Sequence, residues 1–469
     1  MKKPLLHAIF YILFTTLLLE TGCSKKTAVV TNPPTVTTQD VMLDVTSTSA
    51  QSGGTVTGVG SSALTANGVC YSTTNTTPTV DDSKTTDPII TYSYTYISNI
   101  TGLTANTKYY VRAYVTNAYG TGYGKVVSFT TSSTTSTKQG KVTPLAGNAT
   151  PGYADGLGAA AQFDTPGGIA VDGSGNMYVA DVFNNRIRKI TPDGNVSTFA
   201  GDGNSGHLNG TGTAAEFYAP QGLAVDGNGN VYVADYGNNM IRKITPAGEV
   251  SDFAGNGTAG YVEGAAASAE FRGPYGLAFD TQGNLYVADN GNNMIRKITS
   301  AGVVSNVAGK TVAGYTDVTV NATTGVNALF RHPSGVVVDA TGNIFVADGG
   351  NSAIRQITPA GVVTTVAGGT VQASLIGNAN GIAIDQQGDL YITDGLGRVI
   401  ELTSEKLLYV LAGNSNVAGF ADGTGPAVKF NVPQGIAVDA AGNIYIVDSN
   451  NNMVRKMVVV EVAPNPDAS

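Results

Sequence analysis

A short pattern that ends in aspartate recurs six times in the second part of this 469-residue chain. Its aspartates stand 54, 54, 59, 46 and 54 residues apart, at Asp172, Asp226, Asp280, Asp339, Asp385 and Asp439. In most copies, three further short apolar runs follow each aspartate, so each repeat predicts four strands. This repetition constrains the fold more than any other feature, because each unit buries its apolar face against its neighbours.

The fourth strand of the repeat is displaced along the chain. Its Ala-Gly ending occurs at Gly147, Gly201, Gly255, Gly309, Gly368 and Gly413. The first copy precedes any first strand, and none follows Arg455. We therefore predict that residues 141–146 pair with residues 453–458, which would close a ring of four-stranded sheets and leave few exposed edges.

The repeated pattern x-G-[IL]-A-[VF]-D, G-N-x-Y-V-A-D, N-N-x-I-R-K-I resembles the NHL repeat. The resemblance covers nearly all of residues 141–460 and implies a six-bladed β-propeller whose N-terminal strand closes the last blade. NHL-type propellers generally serve as interaction platforms. Peptide-amidating lyases, lactonases and strictosidine synthase-like proteins are enzymes of related repeat.

Residues 37–131 contain alternating runs that predict one β-sandwich. The segment from Leu103 to Val111 resembles the L-x-P-x-T-x-Y-x-V signature of fibronectin type III domains, with Ala105 in place of proline. The resemblance implies that Tyr109 is a corner tyrosine whose hydroxyl ties back to the backbone. The predicted fold class is all-β, with an Ig/fibronectin-like β-sandwich before the propeller.

The N-terminus is typical of an exported lipoprotein. Residues 1–22 combine a basic start with an apolar stretch that is shorter than the roughly 20 residues of a membrane-spanning helix. Gly22-Cys23 resembles a lipobox, although Glu20 stands where that family prefers an apolar residue. We expect a lipid on Cys23 and a tether over 23–36; ordinary secretion is the alternative. Polar residues predict a linker over 132–140 and a C-terminal tail over 461–469.

This organisation predicts a protein held in the cell envelope by an N-terminal lipid anchor, at the outer membrane and facing the periplasm or the cell surface. The tandem of sandwich and NHL repeats resembles proteins of the Bacteroidota. A net charge of -8 argues against nucleic acid as a partner. Tryptophan is absent, so tyrosine or phenylalanine would have to form any sugar-stacking surface. Cys70 lies in an apolar run and is expected in the core.

Two recurrent motifs have competing interpretations. The aspartates at the second-strand ends could ring a metal, but we expect Asp/Asn turns that bind local backbone N–H groups. These aspartates include Asp181, Asp235, Asp289 and Asp348. The recurrent Arg-Lys pairs of the third strands could form a basic stripe, but we expect salt bridges between blades.

Variable residues mark the candidate site. They lie in the loop Phe-x-x-Pro-x-Gly before each first strand, which in propellers surrounds the mouth of the channel. The predicted ligand-binding residues are Tyr218, Gln221, Arg272, Tyr275, Arg331, His332, Asn431 and Gln434. The fourth loop is longer around 316–327 and the fifth is shorter over 370–380, which predicts a notch, or alternatively reflects drift in surface loops.

These observations predict a binding platform for a glycan, a peptide or an envelope protein, with no catalytic residue, no metal and no cofactor. Outside the signal peptide the only histidines are His207 and His332, so a three-histidine zinc site is excluded. A calcium site from carboxylates and carbonyls stays compatible with the sequence. A calcium-assisted lyase or hydrolase at the mouth is therefore one alternative, and a structural scaffold of an envelope complex is the other.

Overall fold

The computed structural model describes residues 31–90, 94–133, 137–318, 327–369, 375–415 and 417–463. The predicted signal peptide and Cys23 lie outside these residues. Among the residues described, no helix is long and apolar enough to cross a membrane. Strands dominate, and the helices are single 3-10 turns of three residues. Those turns are Gly158–Ala160, Gly212–Ala214, Tyr236–Asn238, Ala266–Ser268, Asn290–Asn292, Gly349–Asn351, Gly425–Ala427 and Ser449–Asn451.

Two antiparallel sheets form the N-terminal domain. The first contains β1 (Thr35–Thr38), β2 (Met42–Leu43), β3 (Ser49–Gly58) and β6 (Thr95–Thr101). The second contains β4 (Leu64–Ser72), β5 (Ser83–Lys84), β7 (Lys108–Asn117), β8 (Gly120–Tyr123) and β9 (Val127–Thr130).

The contact predicted for Tyr109 is present in this domain. The backbone N–H of Thr104 donates to the Tyr109 hydroxyl at 3.0 Å, and the Tyr109 ring stacks on Phe129 in the core. Cys70 is buried, as expected, and its thiol lies 3.2 Å from the Pro78 carbonyl oxygen. Burial raises the pKa of the Cys70 thiol.

Each repeat folds into an antiparallel sheet whose four main strands follow the order of the repeat, as the pattern predicts. Where a two-residue strand precedes them in the chain, it pairs with the fourth strand at the sheet edge. Strand β10 (Thr137–Gly147) precedes them. Repeat 1 holds β11 (Gly156–Leu157), β12 (Pro166–Val171), β13 (Met177–Asp181), β14 (Arg186–Ile190) and β15 (Asn195–Ala200). Repeat 2 holds β16 (Gly210–Thr211), β17 (Pro220–Val225), β18 (Val231–Asp235), β19 (Met240–Ile244) and β20 (Glu249–Ala254). Repeat 3 holds β21 (Gly264–Ala265), β22 (Pro274–Phe279), β23 (Leu285–Asp289), β24 (Met294–Ile298) and β25 (Val303–Gly309).

The remaining repeats follow the same order. Repeat 4 holds β26 (Pro333–Val338), β27 (Ile344–Asp348), β28 (Ala353–Ile357) and β29 (Val363–Gly368). Repeat 5 holds β30 (Ala379–Ile384), β31 (Leu390–Asp394), β32 (Arg398–Leu402) and β33 (Leu407–Gly413). Repeat 6 holds β34 (Gly423–Thr424), β35 (Pro433–Val438), β36 (Ile444–Asp448) and β37 (Met453–Val462).

Strand β10 supplies the fourth strand of the last repeat. It pairs with β37 from Thr137 opposite Val462 to Gly147 opposite Met453, which includes the predicted pairing of residues 141–146 with 453–458. The ladder also extends into the segments that the sequence predicts as linker and tail.

Glycines let the first strands approach one another. A Cβ on Gly222 would lie against the Tyr275 carbonyl oxygen of the next repeat, closer than real Cβ atoms come. A Cβ on Gly435 would lie 2.6 Å from the Gly167 carbonyl oxygen, so the first strand of repeat 6 lies beside that of repeat 1. The repeated Gly therefore permits close approach of backbones. Equivalent contacts occur at Gly168, Gly276 and Gly381, whereas Gly335 lies against the Ile382 side chain of the next repeat.

Apolar cores fill the spaces between neighbouring repeat sheets. One such core joins Phe163 and Ile169 of repeat 1 to Tyr445 and Val447 of repeat 6. The loop phenylalanine is fully buried in each of the repeats that carries it, at Phe163, Phe217, Phe271, Phe330 and Phe430. Stability therefore comes from burial between repeats.

The N-terminal domain docks on the edge of repeat 5. Strand β2 pairs in parallel with β33, and the Met42 and Asp44 N–H groups donate to the Lys406 and Leu408 carbonyls at 3.1 Å each. Repeats 1, 2, 3 and 6 carry a two-residue strand at the corresponding edge. Strand β2 takes that place in repeat 5, where the preceding loop is shorter. The predicted notch falls largely on residues outside those described.

Candidate ligand-binding face

The loops before the first strands are fixed to the sheets by the aspartates that end the second strands. The Tyr218, Arg272 and Arg331 N–H groups each donate to such an aspartate at 2.8 Å. Asp164 and Asn431 do the same in repeats 1 and 6. The aspartates therefore satisfy backbone groups of the loops, which supports their interpretation as structural residues.

The second oxygen of each aspartate binds a buried arginine. Arg188 Nη1 lies 2.8 Å from Asp181 Oδ2, and both side chains are fully buried. Burial raises the pKa of Asp181 to about 6, although the hydrogen bonds from Asp164, Asn184 and Arg188 lower it. Equivalent pairs are Arg242–Asp235, Arg296–Asp289, Arg355–Asp348, Arg398–Asp394 and Arg455–Asp448. The prediction that these arginines form salt bridges between blades is therefore wrong. Each pair lies within one sheet, because adjacent strands place the arginine and the aspartate on the same face.

A second contact ties the loops of repeats 1 to 4 to the preceding repeat. The Ala219 and His332 N–H groups donate to the Asn185 and Asn293 side-chain oxygens at 2.9 Å. The Thr165 N–H donates to Asn452 at 2.8 Å, which links repeat 1 to repeat 6. The loops are therefore held on both sides, as a rigid binding face requires.

We call the face formed by these loops and by the loops between second and third strands the mouth. The predicted ligand-binding residues fall into two groups, one on the rim of the mouth and one on the first strands. Tyr218, Arg272, Arg331 and His332 are exposed on the rim. Asn431 is half-buried beside them.

The long rim side chains rest on glycines. The Tyr218 ring lies against Gly237. A Cβ added to Gly291 would lie only 2.8 Å from the Cγ atom of Arg272, and a Cβ added to Gly350 only 2.7 Å from the Cγ atom of Arg331. These glycines leave room for the side chains of the neighbouring loop.

Gln221, Tyr275 and Gln434 lie on the first strands and not on the rim, and all three are half-buried. The Tyr275 hydroxyl donates to Gln434 Oε1 at 3.2 Å, and Gln221 Oε1 lies beside Gly167. Burial, together with neighbouring Tyr236, raises the pKa of Tyr275 to about 12, so its hydroxyl stays protonated. A cavity of about 220 Å³ continues along the first strands, lined by side chains such as Ile382.

Two aromatic residues of the mouth were missed by the sequence analysis. Phe183 is 68% exposed and Tyr236 39% exposed, and both belong to loops between second and third strands. The Tyr236 ring meets the Tyr275 ring edge-on, with centroids 6.2 Å apart. Comparison of these loops across repeats would have found them, because the loops differ at these positions. Repeat 2 has Gly237 where repeat 1 has Phe183, and repeat 1 has Val182 where repeat 2 has Tyr236.

The two histidines do not lie in one site. His207 is on an outer loop of repeat 2, with Nε2 3.4 Å from Asp252, whereas His332 is on the rim of repeat 4. In the described part of the chain, no group of three or more His, Cys, Asp or Glu residues is placed to hold a metal ion.

Comparisons with known proteins agree with this architecture. The model of the NHL repeat matches residues 217–244, 271–298, 330–357 and 430–457. The chain is 27% identical over 320 residues to Protein SUPPRESSOR OF QUENCHING 1, chloroplastic, of Arabidopsis thaliana, covering 65% of this chain and 26% of that protein. The chain spans less than half the length of the curated relatives it matches.

Two solved structures share the fold over most of the chain. A Bacteroides thetaiotaomicron protein of unknown function has a TM-score of 0.53 at 19% identity, covering 92% of this chain and 98% of that one. An auxiliary nutrient binding protein of the same species has a TM-score of 0.52 at 13% identity, covering 91% and 98%. The chain therefore carries NHL repeats within a β-propeller fold.

Proposed function

We propose that this chain is a cell-envelope lipoprotein whose six-bladed propeller binds a glycan at its mouth without catalysing a reaction. The observation that carries the proposal is the set of exposed aromatic and cationic side chains on the mouth loops. They stand above a channel that the Tyr275–Gln434 contact crosses. A ligand would therefore lie across the mouth.

The proposed closed ring of six blades has support from both ends of the repeat array. Strand β10 pairs with β37 in the last sheet. Gly435 lies against Gly167, and Thr165 binds Asn452, so repeats 6 and 1 touch through both backbone and side chain. The hydrogen bond between Thr104 and Tyr109 supports a fibronectin-like N-terminal domain.

A binding role fits the chemistry of the mouth. The loops before the first strands of repeats 1 to 4 are fixed by two hydrogen bonds each, so little conformational entropy would be lost when a ligand binds. Exposed aromatic rings offer flat apolar surfaces of the kind that stack on sugar rings. The Bacteroides thetaiotaomicron protein with a TM-score of 0.52 is an auxiliary nutrient binding protein, which supports a binding role for a propeller of this type.

We further propose that Cys23 carries a lipid and that the N-terminal domain acts as a spacer. This places the propeller at the outer membrane, facing the periplasm or the cell surface. The apolar stretch before Gly22-Cys23 supports this arrangement. Metabolic labelling with a palmitate analogue should mark the wild-type chain and leave Cys23→Ala unmarked; labelling of both would refute the anchor.

A glycan array tests the proposed function directly. We expect selective binding by the full chain and its loss in a triple variant, Phe183→Ala, Tyr218→Ala and Tyr236→Ala. Tyr119→Ala is the matched control, because this tyrosine is equally exposed but lies in the N-terminal domain. Absence of glycan binding, or binding that survives the triple variant, would contradict a glycan site at the mouth.

A further inference from the structure

We infer that the glycan bound at the mouth is acidic, and that Arg272 and Arg331 bind its carboxylates. This inference rests on the proposed function, because it names the class of glycan for the same site. It adds the prediction that uronic acid residues distinguish the ligand from neutral sugars.

The two arginines occupy equivalent positions in neighbouring repeats. Both are exposed, and within the described residues neither side chain forms an ion pair, a hydrogen bond or a ring contact. Only their backbone groups are bonded: the N–H groups donate to Asp289 and Asp348, and the carbonyls accept from Gly291 and Gly350. They are therefore free to bind an anion.

All the other arginines of the chain have partners. Arg112 stacks over Tyr123, and Arg186 lies over Tyr153 and donates to the Asp202 carbonyl. The rest form the buried pairs with aspartate: Arg188, Arg242, Arg296, Arg355, Arg398 and Arg455. The chain carries a net charge of -8, so two unpaired guanidinium groups on one rim are a local exception.

The chemistry of guanidinium favours carboxylate. The planar guanidinium group donates two parallel hydrogen bonds to a carboxylate. Hydrogen bonds between charged groups are about twice as strong as those between neutral groups. A uronic acid presents this planar anion on a sugar ring whose apolar face can stack on tyrosine. The rim offers both groups side by side: Tyr218 and Tyr236 belong to repeat 2, and Arg272 follows in repeat 3.

An acidic peptide fits the rim less well. Peptides in extended form bind largely through backbone hydrogen bonds to a free edge. At this rim the loop N–H groups are already used, since Arg272 and Arg331 donate to aspartates and Gly273 and His332 donate to asparagines. Recognition must therefore come from side chains, which a glycan with spaced carboxylates satisfies.

The rim also carries one carboxylate at the equivalent position of repeat 1. Asp164 is half-buried, and its Oδ1 accepts a hydrogen bond from the Thr165 hydroxyl at 3.2 Å. The positive charge therefore lies on the side of repeats 3 and 4. An acidic chain would be expected to cross that side.

Calorimetric titration of the full chain tests the inference. The probes are galacturonic, glucuronic and mannuronic acid oligomers, the same oligomers after carboxyl reduction, and poly-glutamate. We expect at least one acidic oligomer to bind, and to bind about tenfold or more tightly than its reduced form. The double variant Arg272→Gln, Arg331→Gln should lose that difference. Lys141→Gln, which removes an exposed charge from β10, should keep it.

The outcomes separate the two levels of the proposal. Equal binding of acidic and reduced oligomers, or full binding by the double variant, would overturn the carboxylate assignment and leave a glycan site in place. Tighter binding of poly-glutamate would overturn it in favour of a peptide partner. Failure of every sugar on the oligomer panel and on the glycan array would refute the proposed function as well.

Discussion

The Tyr275 hydroxyl donates a hydrogen bond to Gln434 Oε1, at 3.2 Å and across 159 residues of sequence. It joins the first strands of repeats 3 and 6. Both residues line the cavity along the first strands, whereas the exposed rim residues do not, so the rim and the cavity can be tested independently.

Tyr275→Phe should remove this contact without changing the rim. We expect a loss of about 1 kcal/mol in the free energy of unfolding, as is usual for one hydrogen bond. Glycan binding should stay within twofold of wild type. Tyr232→Phe is the control, because it removes a hydroxyl that contacts Asp226 at the opposite end of a sheet. If only Tyr275→Phe abolishes binding, the ligand enters the channel.

Arg242→Met should be strongly destabilising. It leaves the fully buried Asp235 without its ion-pair partner, and an unpaired buried charge typically costs about 3–5 kcal/mol. Urea unfolding measures this loss, with Lys243→Met on the same strand as the control. A loss below about 1 kcal/mol would show that the pair contributes little to the folded state.

Gly222→Ala should disturb the contact between first strands. Its Cβ would overlap the Tyr275 carbonyl, and overpacking of this kind costs about 1–3 kcal/mol or prevents folding. Gly227→Ala, in an open turn of the same repeat, should change stability by less than about 0.5 kcal/mol. Equal effects of the two substitutions in thermal unfolding would contradict the close approach.

Acid should destabilise the hairpin turns between first and second strands. Burial alone would raise the pKa of Asp226, but hydrogen bonds from Asn230 and Asn228 outweigh it and lower that pKa below its ordinary value. The same direction holds for Asp172, Asp280, Asp339 and Asp439. A carboxyl with a lowered folded-state pKa stabilises the fold above its unfolded pKa of about 3.9, and this stabilisation is lost as the pH falls through the folded value.

The comparison of wild type with Asp226→Asn isolates this effect. Urea midpoints from pH 7 to pH 3 should fall more steeply for the wild-type chain, because the variant lacks one of the titrating groups. Parallel curves would show that this aspartate does not contribute to the acid response.

Removal of residues 1–136 should expose the β33 edge that β2 covers. Unpaired strand edges promote association, so we expect the truncated chain to lose thermal stability and to form dimers in size-exclusion chromatography. The buried Val41 and Leu43 also leave the core of repeat 5. If the truncated chain is monomeric and unfolds at the same temperature as the full chain, the N-terminal domain is only a spacer.

The sequence was sufficient to predict the repeats and their pairing. Apolar runs of fixed period specify strands locally, and the displaced Ala-Gly ending predicted that β10 pairs with β37. The rim positions Arg272, Arg331 and His332 were also predicted, because variation within an otherwise constant loop marks exposed residues.

Only the tertiary structure decided which variable residues face inward. Tyr275 and Gln434 meet because the packing of the repeat sheets brings repeats 3 and 6 together, and no local pattern records a partner 159 residues away. The same holds for β2, which covers an edge left open by a shortened loop. A repeat pattern determines how each sheet forms, whereas the contacts between distant sheets depend on how the sheets pack.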